Sequence, residues 1–236
     1  MIKQKKILLL FFTIILTSVS AQKSVNQFDK DGKRHGFWTK NYHETNQIRY
    51  EGAFDHGKEI DTFKFYTLSG GKSVLSAIKV FNEKDSIAEI SFLASNKKVI
   101  SEGKMIGKRF TGKWIFYHKN SNTKMIVEHY NTDGKLEGER YVYFKNGLPA
   151  EKAVYKDGKL NGKSKWFTEN NKLIKQSHYK DDQLHGETIN YDAEGKPTSK
   201  GNYNENQKVG IWTYYKDGEL TKEINHTTNE VISKQE

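Results

Sequence analysis

The chain has 236 residues, a formal charge of +10 and no cysteine. Disulfides, thiol chemistry, cysteine-bound metal and lipid attachment through a cysteine are therefore excluded. Hydrophobic residues make up 35% and aromatics 13%. That is a thin aliphatic supply for one large globule but enough for a sheet held by aromatic cross-strand pairs.

In chain order, residues 1–21 come first and read as an export leader. Lys3, Lys5 and Lys6 form a basic start, Ile7 to Leu16 is apolar except for Thr13, and Val19-Ser20-Ala21 supplies the small residues of a cleavage site. The apolar run is short for a membrane span, so a cleaved signal peptide is expected, with a periplasmic or secreted product of residues 22–236. Removing three lysines lowers the charge from +10 to +7. This basic excess suits acidic proteins, anionic lipid or acidic glycan, whereas nucleic acid fits the sign but not the compartment. The charges of both signs are interspersed, which reads as a solvated surface.

From residue 28 onward one short pattern recurs. Its clearest copies are Tyr155-Lys156-Asp157-Gly158-Lys159-Leu160-Asn161-Gly162 and Tyr179-Lys180-Asp181-Asp182-Gln183-Leu184-His185-Gly186. Anchored on the last position, the copies fall at Gly36, Thr62, Ala88, Gly112, Gly138, Gly162, Gly186 and Gly210, eight repeats of 24–26 residues. A fixed period of this size signals an array in which each unit buries itself only against its neighbours. The fold expected is all-β: an elongated single-layer meander of β-hairpins, about 16 strands, over residues 22–225. Residues 62–104 are degenerate, lacking the anchor glycine at Thr62 and Ala88, and residues 226–236 read as a flexible tail.

After each anchor comes a strand, as in Gly112-Lys113-Trp114-Ile115-Phe116-Tyr117. Alternation sends positions two and four past the anchor to one face: Trp38, Trp114, Trp212, Tyr66, Phe92, Phe116, Trp166 and Tyr214. The other face carries Phe37, Phe63, Phe65, Ile115, Tyr117, Tyr141 and Tyr143, among others. Turns such as Asn146-Gly147 and Asp157-Gly158 are hairpin signals, since glycine accepts positive φ.

The unit Tyr-x-Asp-Gly-Lys-x-x-Gly-x-Trp-x-x-Tyr resembles the MORN repeat in its bacterial variant form, the form grouped with YwqK-type antitoxin components. The similarity spans about residues 28–225. It implies a ribbon of hairpins that binds proteins or phospholipid surfaces, and a possible role in neutralising a toxin. With an export leader, such a toxin would itself be exported.

Catalytic and metal motifs are absent from the pattern. His35 and His185 share one slot before an anchor, and His129 and His178 share another before a tyrosine, so both pairs read as structural. His43, His56, His118 and His226 show no metal-ligand spacing, so no metal, cofactor or catalytic residue is assigned. Gly70-Gly71-Lys72-Ser73 lacks the first glycine of a phosphate loop and reads as a turn. The candidate binding surface is aromatic with basic neighbours: Trp38 with Lys40, Trp114 with Lys113, Trp166 with Lys163 and Lys165, and Trp212 with Lys208. The expected function is a non-enzymatic exported scaffold binding a protein partner or an envelope surface. The alternatives are an antitoxin or immunity protein, and a peripheral phospholipid- or glycan-binding protein.

Overall fold

The computed structural model describes residues 24–82 and 86–234; the leader read at residues 1–21 lies outside them. The described residues form strands and turns, with no helix among them. The first strands are β1 (Gln27–Phe28), β2 (Arg34–Asn41), β3 (Ile48–Asp55), β4 (Lys58–Ser69), β5 (Lys72–Phe81) and β6 (Ile87–Leu93). There follow β7 (Val99–Ile106), β8 (Arg109–Tyr117), β9 (Lys124–Tyr130), β10 (Gly138–Tyr143), β11 (Pro149–Lys156), β12 (Lys159–Leu160) and β13 (Gly162–Phe167). The last are β14 (Leu173–Lys180), β15 (Gln183–Tyr191), β16 (Pro197–Asn204), β17 (Gln207–Lys216), β18 (Glu219–Asn225) and β19 (Glu230–Lys234). Each pairs antiparallel with the next, except that β12 and β13 both pair with β11. Short polar turns permit only this order, because a parallel pairing would need a long crossover.

The sheet thus has 19 strands where 16 are expected. The eight hairpin repeats supply sixteen; β1 precedes the first anchor, and β12 and β13 are one strand broken at Asn161. The third extra strand is β19, which corrects the reading of a flexible tail over residues 226–234; residues 235–236 lie outside the described ones. His226 donates its backbone N–H to the Gly210 carbonyl at 2.9 Å, and β19 pairs with β18.

From Gly112 onward each anchor marks a step in register. Between β7 and β8 the pairing passes from Lys104 with Thr111 to Gly103 with Trp114, leaving Gly112 and Lys113 as extra residues on β8. Gly112 absorbs the kink at φ +62°, in the left-handed region. The bulge swings the Trp114 ring down over Gly103, where an added Cβ would lie 2.4 Å from it. The indole N–H then donates to the Lys104 carbonyl at 2.9 Å. Trp212 repeats both features, over Gly201 and onto the Asn202 carbonyl at 3.0 Å.

One register row therefore carries the core across the sheet. It runs Trp38, Gly52, Phe63, Lys79, Ile90, Gly103, Trp114 and Glu128, then Arg140, Ala153, Ser164, Ser177, Thr188, Gly201, Trp212 and Ile224. Phe63, Trp114, Ala153, Ser164, Ser177, Thr188 and Trp212 are at most 1% exposed. A single layer achieves this because rings from the next row lie over it. Phe110 stacks on Trp114 at 3.6 Å, and Tyr203 meets Trp212 edge-on at 5.1 Å.

The degenerate copies differ from expectation in two ways. The second anchor is Asp61, at φ +57°, not Thr62; aspartate tolerates this conformation better than most residues. Phe63 then sits over Gly52 as Trp114 sits over Gly103, so Phe63 and Phe65 join the tryptophan face. Tyr66, expected on that face, instead donates to Glu51 at 2.8 Å, as Tyr117 does to Glu102 at 2.6 Å. The third copy has no bulge at Ala88, since β5 and β6 pair without a shift, and Lys79 fills the slot that Gly52, Gly103 and Gly201 hold in their copies.

Candidate binding face

Alternation along the strands separates residues that adjoin in sequence. Trp38, Lys40, Trp114, Trp166 and Trp212 lie an even number of residues past their anchors, on the core-bearing face. Lys113, Lys163 and Lys165 lie an odd number past and face the other way. The expected array of tryptophans beside Lys113, Lys163 and Lys165 is thus not assembled. The cations that cover these rings are Arg34 at 5.8 Å from Trp38, Lys175 at 5.2 Å from Trp166 and Lys208 at 4.1 Å from Trp212. Of the sequence pairs, only Lys208 with Trp212 is realised. Burial removes Trp114 and Trp212 from any contact surface, as they are 0% and 1% exposed. Trp38 and Trp166 remain half-buried.

The opposite face carries recurring ion pairs, and Lys152, Lys163 and Lys165 gather there around Glu139. Cross-strand pairs Lys64–Glu51 (3.2 Å), Lys104–Glu89 (3.9 Å), Lys152–Glu139 (2.8 Å) and Lys200–Glu187 (3.2 Å) recur along it. Lys152 holds the Glu139 carboxyl below its ordinary range, and Glu139 in turn raises Lys152. His129 and His178 share one slot here, as expected. Their Nδ1 atoms contact the carbonyls of Glu139 and Glu187 at 2.9 and 3.0 Å.

On the core-bearing face the middle of the row is polar. Arg140 donates to Glu128 at 2.9 Å and to Glu151 at 3.1 Å, and the Tyr130 hydroxyl donates to Glu128 at 2.6 Å. Burial, then the Glu128 carboxylate, pushes the Tyr130 phenol well above its usual value. These groups satisfy one another and read as a tie between β9, β10 and β11.

The opening in this face lies over the third copy. Without a bulge, no tryptophan covers the row there, and small Ala77 faces Phe92 across the strands. The result is a cleft of about 720 Å³ floored by Phe65, Ala77, Ile90, Phe92 and Met105, with Glu59, Lys79 and Lys108 at its rim. Lys79 spans the rim, 3.9 Å from Glu59 and 3.3 Å from the Gly107 carbonyl. Phe65 also borders a second hollow of about 440 Å³, lined by Lys40, Tyr42, Arg49, Tyr50 and Tyr66. Lys40 is therefore the one candidate lysine that borders a concavity on this face. Sequence reading missed the cleft because its residues stand where the repeat pattern fades. The fading itself, with no glycine and no tryptophan at the third anchor, was the available signal.

Residues 160–181 and 184–205 each match the MORN repeat variant. No curated protein matches the chain. Among solved structures, S. aureus TarM, in a complex with fondaparinux, α-GlcNAc-glycerol and UDP, aligns at 15% identity and a TM-score of 0.20. That alignment covers 58% of this chain and 21% of TarM, so the chain spans about a fifth of TarM's length. A protein of unknown function from Bacteroides fragilis aligns at 10% identity and a TM-score of 0.14, covering 83% of this chain and 94% of that one. Neither likeness carries a statement about this chain.

Proposed function

From a hairpin array two of whose units match the MORN repeat variant, we propose a non-enzymatic, exported scaffold whose task is to hold a protein partner on its core-bearing face. The observation that carries this reading is the apolar cleft floored by Phe65, Ala77, Ile90, Phe92 and Met105. It is an apolar concavity between charged rims, in which half-buried Phe65 and Phe92 lie beside the buried Ala77, Ile90 and Met105, and this suits a protein contact. An apolar side chain of the partner would enter the cleft, and acidic groups would meet Lys108 and Lys40. The cross-strand ion pairs of the opposite face weigh against a membrane or acidic glycan as principal ligand. They pair Lys64, Lys104, Lys152 and Lys200, four of the lysines that would have to face an anionic sheet. An exported toxin is one partner that fits, through a one-to-one complex.

The test is affinity capture from the producing cell's envelope and secreted fractions. The baits are the wild-type protein and the rim variants Thr67→Arg and Lys108→Glu, both exposed positions. One stoichiometric protein, retained through a salt wash and lost with the variants, is expected. Retained lipid or glycan that salt strips away would replace this reading with a surface binder.

A further inference from the structure

The first rung of the array brings together three side chains that the repeat does not require. His35, next to the first anchor, faces Asp55 at the end of β3, and His56 opens the β3–β4 turn. His35 Nδ1 lies 3.4 Å from Asp55 Oδ1, and His56 Nε2 lies 3.8 Å from the same oxygen. The three ligand atoms all fall within 4.8 Å of one another, the one such group among the described residues. Bonds of ~2.0–2.2 Å in a tetrahedron place donor atoms ~3.3–3.5 Å apart, so small side-chain rotations would close the site.

A fourth residue orients one ligand. His56 Nδ1 donates to Asp29 Oδ2 at 2.6 Å, which leaves its Nε2 lone pair toward Asp55. Asp29 is itself fixed: its Oδ1 accepts the backbone N–H groups of Asp31 at 2.9 Å and Lys33 at 2.8 Å. Its side chain is 6% exposed, against 49–57% for the three inner residues. A carboxylate behind a ligating imidazole is the usual outer partner at a metal.

The later rungs supply the comparison. The slots of His35, Asp55 and His56 hold Glu137, Lys156 and Asp157 in one copy and His185, Asn204 and Glu205 in another. There the turn residues bond backbone: Glu137 accepts the Asp157 N–H at 2.9 Å, and Asn206 accepts that of Leu184 at 2.8 Å. Holding a hairpin rung thus needs neither the two imidazoles nor their shared carboxylate. We propose that His35, Asp55 and His56 form a binding site for one borderline divalent cation such as Zn2+, with Asp29 as positioning residue. Two imidazoles select against Ca2+ and Mg2+, which prefer all-oxygen shells, and the exposed side leaves a coordination position open. Bound there, the ion would tie the β1–β2 turn, β2 and the β3–β4 turn together.

The experiment is Zn2+ titration of the chelator-treated, purified protein by calorimetry, with thermal melts in Zn2+ and in chelator. Binding of one equivalent, and a melting temperature raised by Zn2+ but not by Mg2+, is expected. His35→Gln with His56→Gln should abolish both, His185→Gln should change neither, and Asp29→Asn should weaken binding ~10–100-fold. Because the His35 and His185 side chains are not part of the buried row and His56 is exposed, the histidine variants should melt like wild type in chelator. No one-equivalent binding, or binding that survives the double histidine variant, overturns the proposal.

Discussion

Gly103→Ala isolates the close approach on which the buried row depends. The backbone of Gly103 is extended, so alanine brings no conformational strain, and only the methyl group is new. Its carbon would sit 2.4, 2.5 and 2.6 Å from three atoms of the Trp114 indole. Ordinary carbon contact begins near ~3.5 Å, so the ring must retreat by about 1 Å. It cannot retreat freely. Phe110 stacks on it at 3.6 Å, and the indole N–H is held by the Lys104 carbonyl at 2.9 Å. Overpacking of this kind costs roughly 1–3 kcal/mol, to which a stretched hydrogen bond adds about 1 kcal/mol. At this chain size that corresponds to a melting shift of roughly 4–16 °C, if the array melts as one unit.

The assay is thermal melting followed by far-ultraviolet circular dichroism and tryptophan emission for wild type, Gly103→Ala, Trp114→Leu and the double variant. The double variant should be less destabilised than the two singles added together, by roughly 0.5–3 kcal/mol, because the methyl group then occupies space the indole has left. Gly201→Ala should behave alike through Trp212, where the approach is 2.3 Å. Additive effects, or a Gly103→Ala protein as stable as wild type, would refute the argument.

Gly112→Asp should cost under about 1 kcal/mol and Gly112→Val more than about 1–2 kcal/mol by urea unfolding, since Asp61 already occupies the equivalent bulge at φ +57°. Burial first, then the bond to Glu102, pushes the Tyr117 phenol up to about 12 from its ordinary 10.0. A raised phenol contributes stability that is complete below pH ~10 and lost as pH climbs toward ~12, because the folded state then holds the extra proton. Glu102→Gln should lower the Tyr117 midpoint while leaving it above 10, as read by tyrosinate absorbance near ~295 nm, because burial persists. Arg140→Leu should destabilise more than Glu151→Gln in the same unfolding assay, by roughly 1–3 kcal/mol after allowing for 20% exposure of the Arg140 side chain. It strands two carboxylates, whereas Glu151→Gln leaves the arginine still bonded to Glu128.

The period, the anchors with glycine and the all-β meander were legible in the sequence because they answer to local rules. Positive φ selects glycine, and hairpin turns select Asp-Gly and Asn-Gly. The match of residues 160–205 to the MORN repeat variant agrees with that reading. The slip at Thr62 shows where local rules end. Glycine spacing could not reveal that Asp61 takes the left-handed slot, and a one-residue slip moves every following side chain to the other face. Phe63 and Phe65 were misplaced for that reason alone. The pairing of Trp114 with Lys113 failed on a different count. Neighbours in a strand point apart, whereas cation–ring contacts such as Lys175 with Trp166 form between strands.

In a repeat array the informative positions are those that depart from the pattern, because the pattern already accounts for the rest. Repeats at Gly112 and Gly210 close the core with an indole over a glycine, and each such closure removes an aromatic ring from the surface. Where the pattern lapses, at Ala88, the same row of residues is left open and the cleft results. Where it is overwritten, at His35 and His56, the rung gains ligand atoms that the turn does not need. Trp114 and Trp212, conspicuous in the sequence as part of a binding array, are core, and both sites proposed here stand at positions that depart from the repeat.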